Sequence, residues 1–428
     1  MLATFIKLIS SSTKTLTMKK ILLLAFSCLT ISTAIAQMQP AADDFEKFTK
    51  DIEAQRYAAT QAKEYAKADE LLKSWIVKYD EADANRKDKY KSWAASIYYN
   101  LACYEALLGR KEPALTAFEK CYALGYNNYK STMEDSDLNT LHQEKRFKAV
   151  MQGMREKSDY SYVIQHAGPY NKVVDKTWPA FTYQQAEAPE LVALRNKFNL
   201  DSVSGNGDEI SKFKNLLYWA HNSVRHDGNS SNPSSRNAID LIAVCQKENR
   251  GVNCRMMATI LRDAYQAEGF KTRVVTCMPK DTADNDCHVI TVVWSKSLNK
   301  WVWMDPTFNA YVADGKGNLL SIEEVRERLV KGIDDLVLNP DANWNNKQKQ
   351  TKEHYLGYYM SKNLYWLQCA AKSEWDIETN KPGKQASDYL NLYPGDYNTL
   401  HQPKKQMGRS DQYAVNNPKY FWQKPADK

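Results

Sequence analysis

The sequence predicts an α+β protein in which an all-helical segment precedes a domain of helices followed by an antiparallel sheet. Three observations carry this. Apolar residues recur at helical spacing from about 41 to 150, and helical spacing returns from about 205 to 270. Three strand-like runs then follow closely, "TRVVTCM", "HVITVVW" and "KWVWMDP". The 428 residues, 43% hydrophobic and 25% charged, suffice for two or three globular domains.

The first stretch reads as a targeting segment outside the fold. "MKKILLLAFSCLTISTAIAQ" has a basic start at Lys19 and Lys20, an apolar run from Ile21 and the small-residue pattern Ala34-Ile35-Ala36. That places a signal peptide over residues 1–36, with cleavage before Gln37 and Met18 as an alternative start. Ala25-Phe26-Ser27 before Cys28 fits a lipoprotein signal poorly, so export to the periplasm or the exterior is preferred to lipidation at Cys28. Four of the seven net positive charges are the lysines of this segment (Lys7, Lys14, Lys19, Lys20), which leaves about +3 on the processed chain. No arginine-rich stripe stands out, so nucleic acid is not an expected partner. No later apolar run approaches membrane-spanning length.

Residues 37–155 form the expected helical domain. In "YYNLACYEALLGRKEPALTAFEKCYALGY" the residues Tyr98, Leu101, Ala102, Gly109, Ala114, Phe118 and Cys121 fit a 34-residue helix-turn-helix repeat. The segment resembles a tetratricopeptide repeat, with a degenerate unit before it from Phe45 to Tyr79. In "STMEDSDLNTLHQEKRFKAVM" the Asp-rich turn is expected to cap the helix carrying Phe147. Such a short array is either a docking groove for a protein partner or a structural spacer. Residues 156–204 read as a connecting segment with short strands, "YSYVIQ" and "AFTYQQ", punctuated by Pro169, Pro179 and Pro189. Residues 205–370 form the α+β domain, and 371–428 an aromatic-rich extension that the pattern does not place.

Within that domain, Cys254 falls in the first turn of a helix whose buried stripe is Met256 or Met257, Ile260, Leu261, Ala264 and Tyr265. A helix N-terminus favours thiolate over thiol. "DCHVITVVW" starts a strand at His288, and "KWVWMDP" ends the next at Asp305. With a four-residue loop from Ser295 to Leu298, Trp294 faces Asn299, Val292 faces Trp301, Ile290 faces Trp303 and His288 faces Asp305. Directly opposed side chains lie about 5 Å apart at Cβ, within reach of an imidazole–carboxylate hydrogen bond. The carboxylate then fixes the imidazole tautomer, and the imidazole takes the thiol proton.

The order Cys, His, Asp, on a helix and then a hairpin, resembles the transglutaminase-like superfamily of the papain-type fold. "RGVNCRMMATILRDAYQAEGFKTRVV", "CHVITVVW" and "WVWMDPTF" carry the resemblance, and "HNSVRHDGN" is similar to the helix-to-turn element of secreted bacterial members. The likeness implies Cys254 as nucleophile, His288 as general base and Asp305 as orienting acid, acting on a protein or peptide substrate through a thioester. Two positions depart from the usual pattern: Arg255 follows the cysteine, and Val289 follows the histidine where an aromatic is common. The Cys254 N–H is the first oxyanion donor; Asn222, His226 and Trp219 are candidates for the second.

Hydrolysis, as a peptidase or amidase, is expected over cross-linking, because nothing resembles the large accessory β-domains of cross-linking enzymes. The rival reading is a catalytically degenerate scaffold that recruits a partner through its helices. No cofactor or metal is expected. Asp281, Asp284 and Asp286 match no calcium-loop spacing and read as a solvated loop. Cys103 and Cys121 read as core residues, and whether Cys277 and Cys287 clip the loop between them stays open.

Overall fold

The computed structural model describes residues 43–379, 381, 387–397, 404–407 and 410–426. The expected signal peptide, with Met18 and Cys28, lies outside the described residues. Among the described residues, no helix is long and apolar enough to cross a membrane. The chain divides into two compact units, one ending at Ala54 and the other starting at Gln55. The first helix of the described residues is Asp44–Gln61.

The second unit opens with helices, as the spacing predicts. Lys91–Leu107 and Lys111–Ala123 form a hairpin whose turn is made by Gly109 at φ 74°, a left-handed position natural to glycine. Ala102, Ala114, Phe118 and Cys121 are buried along it, and Cys103 with them. Phe118 stacks on Phe147 of the helix Lys145–Ser158 at 4.7 Å. The Asp-rich turn does not cap that helix, whose N-cap position is Glu144, with no side-chain cap. Asp135 instead accepts from Asp137 N at 3.1 Å and caps the short 3₁₀ helix Ser136–Leu141. The turn is complete within itself before the next helix starts.

The connecting segment is more helical than expected. "YSYVIQ" is a helix, Tyr160–Gln165, capped by Asp159, whose carboxylate accepts from Tyr162 N at 3.2 Å. Its alternation is an accident of a single turn: Val163 and Ile164 both face inward, against the helices Ile322–Lys331 and Ser361–Asn363. Pro189–Phe198 and Leu200–Ser204 are helices too, the first of them started by a proline in its first turn. Only Thr182–Tyr183 is strand, paired in parallel with Lys372–Ser373.

The α+β core has one seven-stranded sheet among the described residues. Its order is Lys404–Met407, Ser410–Val415, Tyr389–Leu392, Trp366–Ala370, Thr272–Met278, His288–Ser295, Lys300–Met304. The C-terminal extension therefore continues the same sheet. It also makes the sheet mixed, because Tyr389–Leu392 runs parallel to Ser410–Val415 while the other pairs are antiparallel.

Alternation sorts the central strands. Ile290, Val292, Trp301 and Trp303 face a layer containing Tyr355, Leu364 and Ile164. Val293, Val302 and Met304 face the Cys254 helix and the helices around it. That helix, Cys254–Ala267, is buried on every side from Met256 to Ala267, not along one stripe. Its polar residues are buried with partners: Arg262 pairs with Asp263, Asp263 accepts from Ala238 N at 2.9 Å, and Gln266 donates to Ser373 O at 2.6 Å. Ser373, in the extension that the pattern does not place, supplies part of that cover.

Candidate active site

Cys254 is the first residue of its helix, and the Asn253 carboxamide caps the turn by accepting from Met256 N at 3.2 Å. The approach is tight. Arg225–His226 pairs in parallel with Gly251–Val252, which sets His226 opposite Val252, two residues before the cysteine. A Cβ on Gly251 would meet Arg225 O and the Asp227 Cβ at 2.7 Å. Only glycine lets these backbones come this close.

His288 and Asp305 are both buried, and His288 Nε2 lies 2.6 Å from Asp305 Oδ2. The pairing that brings them together differs from the expected one. Trp294 faces Trp301 and Val292 faces Trp303, so the register is displaced by two residues and the loop is 296–299. Asn299 closes it at φ 50°, a left-handed turn position that asparagine tolerates. A displacement of two keeps every side chain on its face. His288 and Asp305 become diagonal instead of directly opposed neighbours, and the hydrogen bond survives.

Asp305 is saturated. Oδ2 also accepts from Tyr355 OH at 2.5 Å, while Oδ1 accepts from Thr307 N at 2.9 Å and Phe308 N at 3.4 Å. Tyr355 lies on the π-helix Glu353–Met360, and its oxygen accepts from Trp303 Nε1 at 3.2 Å. Phe308 and Tyr359 pack on the His288 ring with centroids 5.4 and 5.2 Å away.

Electrostatics single out one cysteine. All seven described cysteines are free thiols, Cys277 and Cys287 included. Burial pushes six of them up: Cys103, Cys121, Cys245, Cys277, Cys287 and Cys369. Burial would raise Cys254 as well, but hydrogen bonds from His226 and then His288 outweigh it, and its thiol falls to about 6. Burial pulls His288 down, yet the Asp305 carboxylate and the Cys254 sulfur raise it to about 10. The two shifts run in opposite directions, the combination that favours a thiolate–imidazolium pair.

Of the three oxyanion candidates, the structure brings one to the cysteine. His226 stands beside Cys254 and helps to lower its thiol. Asn222 is spent elsewhere, donating to Tyr218 O at 2.8 Å and accepting from Asn346 Nδ2 at 2.7 Å. Trp219 packs edge-on against Phe198 at 5.5 Å. Both project from the helix Glu209–Ser223 on the side lined by Val203, Asn215 and Tyr218. Arg255 is held beside the cysteine by Glu378 Oε1 and Thr276 Oγ1, each at 3.0 Å.

The acidic loop is not simply solvated. The largely buried Lys362 ammonium donates at 2.8 Å to Asp284 Oδ2, Asp286 O and Asp286 Oδ2, pinning the chain just before His288. His221, buried, is satisfied by Pro306 O at 2.9 Å and Asn343 Oδ1 at 3.1 Å. His354 meets Gln350 Oε1 at 3.2 Å.

Sequence reasoning misses Tyr355, Lys362 and the turn "DANWNNKQ", whose Trp344 and Asn345 grip His226. The signal available there is the asparagine run itself: Asn345 and Asn346 sit at φ 53° and 55°.

This arrangement of a cysteine helix and a histidine–aspartate hairpin resembles the papain-like, transglutaminase-like core. The profile of the transglutaminase-like superfamily matches residues 196–306, a stretch that includes Cys254, His288 and Asp305. Among solved structures, a Cytophaga hutchinsonii chain described provisionally as a cysteine protease is 17% identical, with a TM-score of 0.23. The match covers 40% of this chain and 55% of that one, so it spans about half of that chain's length. No curated protein gives a match.

Proposed function

We propose that this protein is an exported cysteine enzyme that attacks an amide carbonyl through Cys254, His288 and Asp305. The observation that carries the reading is the lowered Cys254 thiol beside a His288 held by a buried carboxylate. A scaffold has no use for such a thiol, whereas a nucleophile does.

Cys254 thiolate adds to the carbonyl carbon, and the oxyanion takes hydrogen bonds from the Cys254 N–H and His226. His288, already protonated, donates to the leaving amine as the tetrahedral intermediate collapses to a thioester. The neutral imidazole then takes a proton from the incoming water, and the acid and the thiolate are released. Asp305 holds the imidazole in orientation and stabilises its charge. Hydrolysis is preferred to cross-linking because, among the described residues, helices and added strands of the same sheet flank the core, not separate β-domains. The helical hairpin is read as tetratricopeptide-like, either a structural spacer or a place for a protein partner.

The test is a screen of peptide amides, with and without a primary-amine acceptor, following amine release and product mass. Water as the acceptor supports a peptidase or amidase. A mass gain equal to the added amine would make the protein a transferase, and no turnover by any member would remove the hydrolytic reading.

A further inference from the structure

We propose that Trp344 is a positioning residue which locks His226 in its Nε2–H tautomer, so that His226 serves the site only as a hydrogen-bond donor. The inference rests on the reading of Cys254 as a nucleophile, but its central observable does not.

An indole N–H can only donate. Trp344 Nε1 lies 3.0 Å from His226 Nδ1, so that nitrogen presents its lone pair and the imidazole proton sits on Nε2. With Nδ1 taken by the indole, Nε2 is the nitrogen left to face Cys254, two residues beyond the Val252 that pairs with His226. The backbone is held as firmly as the ring. His226 N donates to Asn345 Oδ1 at 2.7 Å, Asn345 Nδ2 donates to His226 O at 2.9 Å, and the bridge to Val252 fixes the other edge. Asn343 ties the same turn to His221. A hairpin that begins 37 residues beyond the matched stretch, at Asn343 against Pro306, is thus committed to one histidine.

Two imidazoles therefore meet one sulfur, and their far-side partners divide the work. His288 has a carboxylate behind it, which favours the imidazolium and lets the ring carry a proton to and fro. His226 has an indole N–H behind it, which occupies Nδ1 and leaves Nε2 to donate. His226 steadies the thiolate in the free protein and hands the same N–H to the oxyanion once sulfur has attacked.

The test uses the full-length protein, ¹⁵N-histidine NMR and acylation of Cys254 by p-nitrophenyl acetate. In the wild type, His226 should show a single Nε2–H tautomer at neutral pH. Trp344→Phe keeps an aromatic ring but removes the N–H; it should give mixed tautomers and slow acylation about five- to tenfold, the worth of one hydrogen bond. His226→Ala should slow it about 10²–10³-fold, as loss of an oxyanion donor does. His226→Gln, which supplies an N–H without a tautomer, should recover most of that loss, and Trp344→Phe added to it should change nothing further.

A wild-type His226 protonated on Nδ1 overturns the proposal, as does Trp344→Phe with unchanged ¹⁵N shifts. So does an equal loss from Trp344→Phe in the wild type and in the His226→Gln variant, since that would mark a merely structural role. Failure of the ester to acylate Cys254 at all would instead count against the enzyme reading, while the NMR result would still decide the lock.

Discussion

Cys254→Ala is expected to abolish acyl transfer, a loss on the order of 10⁵–10⁶-fold in kcat, with thermal stability nearly unchanged. The side chain is partly exposed at a helix start, and its capping residue is Asn253, so removing one sulfur disturbs little packing. His288→Ala should match it in activity but not in stability. It leaves the buried Asp305 without one of its four donors, a cost of about 1–3 kcal/mol. Kinetics with the best amide from the screen, beside thermal melts of the three proteins, separates the two effects. A Cys254→Ala protein that still turns over would end the nucleophile assignment.

Asp305 gives the second large effect, and it depends on the substitute. Asp305→Ala empties a fully buried position that satisfies Tyr355, His288 and two backbone N–H groups. It should destabilise the fold by about 3–5 kcal/mol, which hides any effect on rate. Asp305→Asn keeps the volume and much of the bonding, so the protein should fold. It should lose about 10³–10⁴-fold in kcat, because an amide neither fixes the tautomer nor balances an imidazolium. An Asp305→Asn protein that is stable and fully active would reduce Asp305 to a structural residue.

The contrast between these positions tracks what is legible in the chain. Cys254, His288 and Asp305 are readable because strand alternation and a helix start are local properties. Even the displaced register does no harm, since a shift of two residues preserves faces. The helix stripe is too narrow because Arg262, Asp263 and Gln266 look solvent-facing until Ser373 and Glu378, more than a hundred residues later, fold over that side. Tyr355 and Trp344 are illegible for the same reason. They reach their partners across 50 and 118 residues, with no spacing that announces it. "YSYVIQ" is lost to length, one turn being too short for its period to declare itself.

The most direct test of the account is the pH dependence of iodoacetamide alkylation at Cys254, followed on its own peptide by mass spectrometry. A lowered thiol stays ionised as pH falls until the solution reaches its own value. The rate should therefore hold through neutrality and drop with a midpoint of about 6, and His288→Ala should move that midpoint upward. The six other described cysteines, raised by burial, should stay slow throughout. A Cys254 midpoint at or above about 8.5, that of an ordinary thiol, would contradict the thiolate–imidazolium pair and the function built on it.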